Sequence, residues 1–184
     1  MRVLLINGSP RKNGTTHQLL KRTEQGFASE GCETELIHLI DTHFPHEYVY
    51  DEDNEPKRHP SPEVREILDK LLKADAVIFG TPTYWMSRSS LMQSLLEHMT
   101  VIEWNPPETN FPLYNKVAGI ITVGTQGGNT AVAAQLAVAL NHMGFRIPPF
   151  GITWHTPKIS GTQENWNEFV PEIIVQEIVR AMKD

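Results

Sequence analysis

The feature that most constrains this chain is an alternation of short, wholly apolar runs with longer stretches of helical period. The first run, Val3-Leu4-Leu5-Ile6, ends at Asn7-Gly8 and reads as a buried strand. Leu19, Leu20 and Phe27 then share one face of a helix expected over 15–30, and 33–39 reads as a weaker, alternating strand. Ser61-Pro62 has the form of an N-cap followed by proline at the first helical position. Behind it Val64, Ile67, Leu68, Leu71 and Leu72 keep the i, i+3, i+4, i+7, i+8 pattern of an amphipathic helix. Further strands are expected over 76–80, 117–123 and 150–154. Helices are expected over 89–99, from 129 with Val132, Leu136, Leu140 and Met143 on one face, and over 165–182.

Strands interleaved with helices require right-handed crossovers and a mostly parallel sheet covered on both faces. The runs are apolar throughout, as strands buried on both sides must be. The fold class is therefore α/β, and 184 residues without repeat or linker are expected to form one domain, 1–184. Such sheets bind ligands outside the carboxyl ends of their strands, where the strand order reverses. The loops to read are those after Ile6, Gly80 and Val123. Residues 41–60, polar and proline-containing, with Asp51, Glu52, Asp53 and Glu55 close together, read as a long surface loop.

Charge and cysteine content narrow the function. A net charge of −6 argues against nucleic acid or an anionic membrane as partner, since both are bound through excess Lys and Arg. Cys32 is the single cysteine, so no intramolecular disulfide, thiolate cluster or CxxC pair is available. The apolar run at 3–6 is too short for a membrane span or a signal peptide, and a soluble cytoplasmic protein is expected. His43 and His46 could meet a metal with Asp41, but Pro45 interrupts their spacing, and the pair reads as solvated. No metal is expected.

The first loop runs Gly8-Ser9-Pro10-Arg11-Lys12-Asn13-Gly14-Thr15-Thr16. A G-x-G-x-x-G dinucleotide loop would need glycine where Pro10 stands. A Walker A loop fails too, because five residues separate Gly8 from Gly14 and Thr15 follows directly. What remains still suits a phosphate: a strand ends, three hydroxyls are at hand, Arg11 and Lys12 add charge, and a helix begins with open N–H groups and a positive dipole end. An ordinary turn capped by Thr15 or Thr16 is the plainer alternative.

This loop closely resembles the phosphate loop of the NADPH-dependent FMN reductase group of flavodoxin-like proteins. Two further segments resemble that family, Ala74 through Trp85 as its third strand and flavin loop, and Gly124-Thr125-Gln126-Gly127-Gly128 as its glycine-rich loop. The resemblance covers about the first three-quarters of the chain. It implies a three-layer flavodoxin-like sandwich with a five-stranded parallel sheet in the order 2-1-3-4-5. FMN would be held through Ser9, Arg11, Lys12, Asn13, Gly14, Thr15 and Thr16 at its phosphate. Pro82, Thr83, Tyr84, Trp85 and Met86, with Thr125, Gln126, Gly127 and Gly128, would meet the flavin ring. Backbone amides over 82–85 and 125–128 would face its polar edge, with Tyr84 and Trp85 walling the pocket or plugging the sheet's end. Relatives called iron–sulfur flavoproteins carry cysteines after the second strand, where this chain has none. Gln93, Glu97 and His98 stand where many relatives have a lysine and an Asp-Arg pair.

The implied activity is hydride transfer from NADPH or NADH through FMN to a small acceptor such as a quinone or free flavin. No catalytic side chain is required, because the cofactor carries the chemistry. An electron carrier of the flavodoxin type and a non-catalytic flavin-binding regulator are the two rivals. Relatives also imply a homodimer or homotetramer, for which Trp104 and Phe111 are candidate contacts.

Overall fold

The computed structural model describes residues 1–44, 61–104, 112–125, 127–156 and 170–184. The acidic cluster at 51–55, His46, Phe111, Gln126 and the Trp104 side chain lie outside the described residues. In chain order the elements are β1 (Arg2–Asn7), α1 (Thr15–Ser29), β2 (Glu33–His38), a one-turn helix (Leu39–Asp41), α2 (Pro62–Lys73), β3 (Ala76–Tyr84), β4 (Ser87–Arg88), α3 (Ser90–Trp104), β5 (Val117–Val123), α4 (Asn129–His142), β6 (Ile152–His155) and α5 (Val170–Lys183).

The parallel strands lie in the order β2-β1-β3-β5-β6, which is 2-1-3-4-5 when those strands alone are counted. This is the flavodoxin-like order, with its reversal between β1 and β3. Each central strand faces both ways. Val3, Leu5, Ala76 and Ile78 pack with Leu19, Leu20 and Phe27 of α1 and Ile174 and Ile178 of α5. Leu4, Ile6, Val77 and Phe79 pack with Ile67 and Leu71 of α2, Met92 and Leu95 of α3 and Leu136 of α4. Ser61 caps α2 as its sequence predicts, its Oγ accepting from Val64 N (3.3 Å), with Pro62 opening the helix. Among the described residues, no helix is long and apolar enough to cross a membrane.

Three boundaries differ from the sequence expectations. The third strand continues past Gly80 to Tyr84, pairing Thr81 and Pro82 with Thr122 and Val123 of β5. Proline is tolerated there because Gly80 O accepts from Gly8 N, so Gly80 turns its peptide groups toward β1. Pro82, two residues on, faces the same way just beyond the end of β1, where no ladder bond needs its missing N–H. The third helix runs to Trp104 rather than ending near 99. The last strand starts at Ile152, not at 150, because Phe150 has φ 57° and Gly151 N bonds back to Pro148 O (2.9 Å). Those are marks of a β-turn with its third residue left-handed, and Phe150 is exposed.

Candidate functional site

The loops after β1, β3 and β5 converge at the carboxyl end of the sheet. The first is stitched by donors that point backwards along the chain. Asn7, fully buried at the end of β1, accepts from Ser9 N through Oδ1 (2.9 Å). Ser9 Oγ accepts from Arg11 N (3.1 Å), and Arg11 O accepts from Gly14 N (3.2 Å). Because Ser9 Oγ is already an acceptor, its own hydrogen remains to be donated elsewhere. Gly14 is the N-cap of α1 and has no side chain with which to cap the first-turn N–H groups. Ser9 and Thr16 are buried beside that open end, while Arg11, Lys12 and Asn13 are exposed. Lys12 is turned to Asp41 in an ion pair of 2.6 Å with both side chains more than half exposed, so its charge is shared with a carboxylate.

The second loop is a two-residue β-hairpin. Thr83 pairs with Arg88 and Tyr84 with Ser87, leaving Trp85 and Met86 as the turn. Both have positive φ, 49° and 62°. Such a turn normally carries Asn-Gly, and bulky residues there are strained outliers of the kind that cluster at functional sites. Trp85 is 100% exposed and Met86 61%, so Trp85 does not plug the sheet's end. Pro82 brings no N–H, which leaves 83–86 as the donors of this segment.

The third loop closes against the hairpin. Gly128 has φ 79°, and a Cβ there would strike Met86 Sδ. At Gly124 a Cβ would fall within 2.9 Å of Thr83 Cβ and also collide with Asn129. Thr125 and Gly127 are exposed at the rim. Two buried polar residues bind the loops together, and the sequence reading gave neither a role beyond opening a helix. Asn129 Oδ1 accepts from Thr83 Oγ1 (2.7 Å), and its Nδ2 donates to Gly124 O (3.2 Å) and His155 O (3.3 Å). Ser89 Oγ donates to Gly8 O (2.6 Å) and accepts from Met92 N (3.1 Å), while Ser89 N donates to Thr81 Oγ1 (3.2 Å). Ser or Asn ahead of a helix signals only a cap; nothing local marks such residues as ties between distant loops.

Behind the hairpin, Arg88 Nε donates to Gln93 Oε1 (2.5 Å) and Gln93 Nε2 to Glu97 Oε1 (2.6 Å). Burial holds the Arg88 guanidinium below its usual range, with Glu97 opposing that shift. His98 is buried, bonded through Nδ1 to Ser94 O (2.8 Å) and ringed against Phe44. The site residues on the described loops are thus gathered at one sheet end.

A phosphate group fits this arrangement: an uncapped helix start, a free Ser9 hydroxyl hydrogen and a buried threonine lie together. Several known proteins resemble this chain. A synthase of 8-demethyl-8-aminoriboflavin-5'-phosphate from Streptomyces davaonensis is 30% identical over 156 residues, 81% of this chain. The chain spans 61% of that relative's length. An iron–sulfur flavoprotein of Methanocaldococcus jannaschii is 33% identical over 139 residues, covering 74% of this chain and 69% of its own. The crystal structure of RosB with bound 8-demethyl-8-formylriboflavin-5'-phosphate shares the fold, with TM-score 0.81 at 24% identity over 100% of this chain and 79% of RosB. The sequence profile of the NADPH-dependent FMN reductases matches residues 1–156, and the chain belongs to that family of FMN-binding, flavodoxin-like oxidoreductases.

Proposed function

We propose that this protein holds FMN across its three loops and uses it to pass hydride from NADPH or NADH to a small acceptor such as a quinone or free flavin. The observation that carries this reading is the open start of α1 beside the buried Ser9 and Thr16 hydroxyls. Ser9, Thr15 and Thr16 would donate to the phosphate, with Arg11 and Asn13 at the rim and Gly14 leaving room for the backbone. FMN would supply hydride acceptance and return at N5, chemistry that none of these side chains can perform. The N–H groups of 83–86 and of the 125–128 loop would set the electrostatics at the ring's polar edge, where negative charge gathers on reduction. Exposed Tyr84 and Trp85 would wall the ring, and they leave the approach open to donor and acceptor in turn. The same exposed hairpin suits contact with a second copy, so a homodimer or homotetramer in the cytoplasm is part of the proposal.

The 30% identity to a flavin-phosphate synthase favours one second reading, in which the flavin phosphate is a substrate and not a resident cofactor. An absorption spectrum decides between them. The protein is incubated with FMN, desalted, and mixed anaerobically with NADPH and then NADH. Retained bands that bleach with either nucleotide support the oxidoreductase. Bands that are retained without bleaching point to a carrier or regulator. Flavin that leaves on desalting, altered in mass, favours the second reading.

A further inference from the structure

Asn7 and His38 are register partners, the last residues of β1 and β2. Parallel pairing turns their side chains to the same face, where α1 lies. Their contact can be read atom by atom. Ser9 N is a backbone donor, so the Asn7 atom it meets must be the carbonyl oxygen, as found at 2.9 Å. That orientation leaves Asn7 Nδ2, always a donor, against His38 Nδ1 at 3.0 Å. His38 Nδ1 therefore accepts and carries no proton.

We infer that Asn7 and His38 are a positioning pair for the phosphate loop, in which neutral His38 with its proton on Nε2 locks the Asn7 amide so that it holds the Ser9 backbone in place. The link to phosphate rests on the function proposed above. A proton added to Nδ1 would set donor against donor. Flipping Asn7 would only move the conflict to Ser9, whose N–H would then face an NH2 group. His17 of α1 lies against His38 with ring centroids 5.0 Å apart, and its own Nδ1 is buried without a hydrogen-bond partner among the described residues.

The charged surroundings work mostly in the same direction. Burial first, then His17, Lys12 and Lys21, hold His38 below its ordinary range, while Asp41 on the one-turn helix opposes them. A histidine whose folded value is depressed gains its proton more readily in the unfolded chain. The contribution of the pair is thus complete above the ordinary histidine value, about 6.5, and is lost as pH falls below it.

The test uses the full chain labelled with 15N, without flavin, and His38→Asn, which keeps an acceptor at the same place but cannot titrate. At pH 7.5 the His38 ring should show the Nε2–H tautomer. Lowering the pH should move the Ser9 amide resonance with His38's own titration in the wild type and leave it still in His38→Asn. An Nδ1–H tautomer, or a Ser9 amide indifferent to His38, overturns the pair. FMN affinity then tests the link to the ligand. Both proteins share the phosphate's own protonation near pH 6, so the comparison is between them at each pH. Between pH 8 and 5.5 the wild type should lose about tenfold more affinity than His38→Asn, the size of one hydrogen bond. Equal losses overturn that link. A wild type that holds no FMN would defeat the phosphate reading alone, because the tautomer and the Ser9 titration judge the pair without ligand.

Discussion

The loop after β1 and the hairpin after β3 border the same end of the sheet but are held in opposite ways. The first is relaxed and anchored on the buried Asn7 and Ser9. Its internal bonds run between near neighbours, Asn7 to Ser9 to Arg11 to Gly14, with only Gly8 at its start tied to the distant Gly80 and Ser89, and its described residues are free of positive φ. The second is exposed and strained, with Trp85 and Met86 both left-handed, and is kept in place from a distance by Asn129 and Gly128. A group that must bind a fixed charge is best served by pre-set donors. A segment that must admit two successive reactants is better served by one that other elements hold and can release. The strain in the hairpin is the sort that persists only when its surroundings over-determine it.

The largest effect should come from the relaxed loop. Ser9→Ala combined with Thr16→Ala removes the two hydroxyls that, on the proposed function, donate to a charged phosphate, at about 1.5–3 kcal/mol each. A flavin fluorescence titration should show affinity weakened by two orders of magnitude or more; unchanged affinity would place the phosphate elsewhere and dissolve the contrast. Next, Asn129→Ala strands the Gly124 carbonyl, takes one of two donors from the His155 carbonyl and frees Thr83. Urea denaturation should register a loss of about 2–3 kcal/mol, and a loss under about half a kcal/mol would mean that the hairpin is not held from α4. Gly128→Ala meets both a positive φ and the Met86 side chain, and should cost about 1–2 kcal/mol in the same assay. The smallest change has the opposite sign. Trp85→Asn gives up no buried surface and fits a left-handed turn, so stability should rise by about half to one kcal/mol while flavin binding weakens. A destabilised Trp85→Asn would show that the turn is not strained.

Much of this was legible beforehand, and unevenly so. The apolar runs located β1, β3 and β5, because a strand buried on both faces admits little else, while β2 showed only a weaker alternation. Ser61-Pro62 announced α2 through a cap that needs only neighbours in sequence. The hydroxyls of the first loop were legible for the same reason. Phe150 misled because an apolar residue beside a strand looks like part of it, whereas Pro148 O and Gly151 N close a turn around it. Gly80 and Pro82 looked like an end to β3, and only the end of β1 beside them lets the strand continue.

The sequence by itself determined the alternation of strand and helix, the parallel sheet that follows from it, and a hydroxyl-rich loop at the start of α1. Each depends on periodicity or on neighbours a few residues apart. Tertiary structure alone decided that Asn7 meets His38, that Asn129 joins β3 to β6, and that Ser89 ties Gly8 to Thr81. These are bonds between residues distant along the chain. Their partners are chosen by strand register and helix packing, which no local pattern encodes.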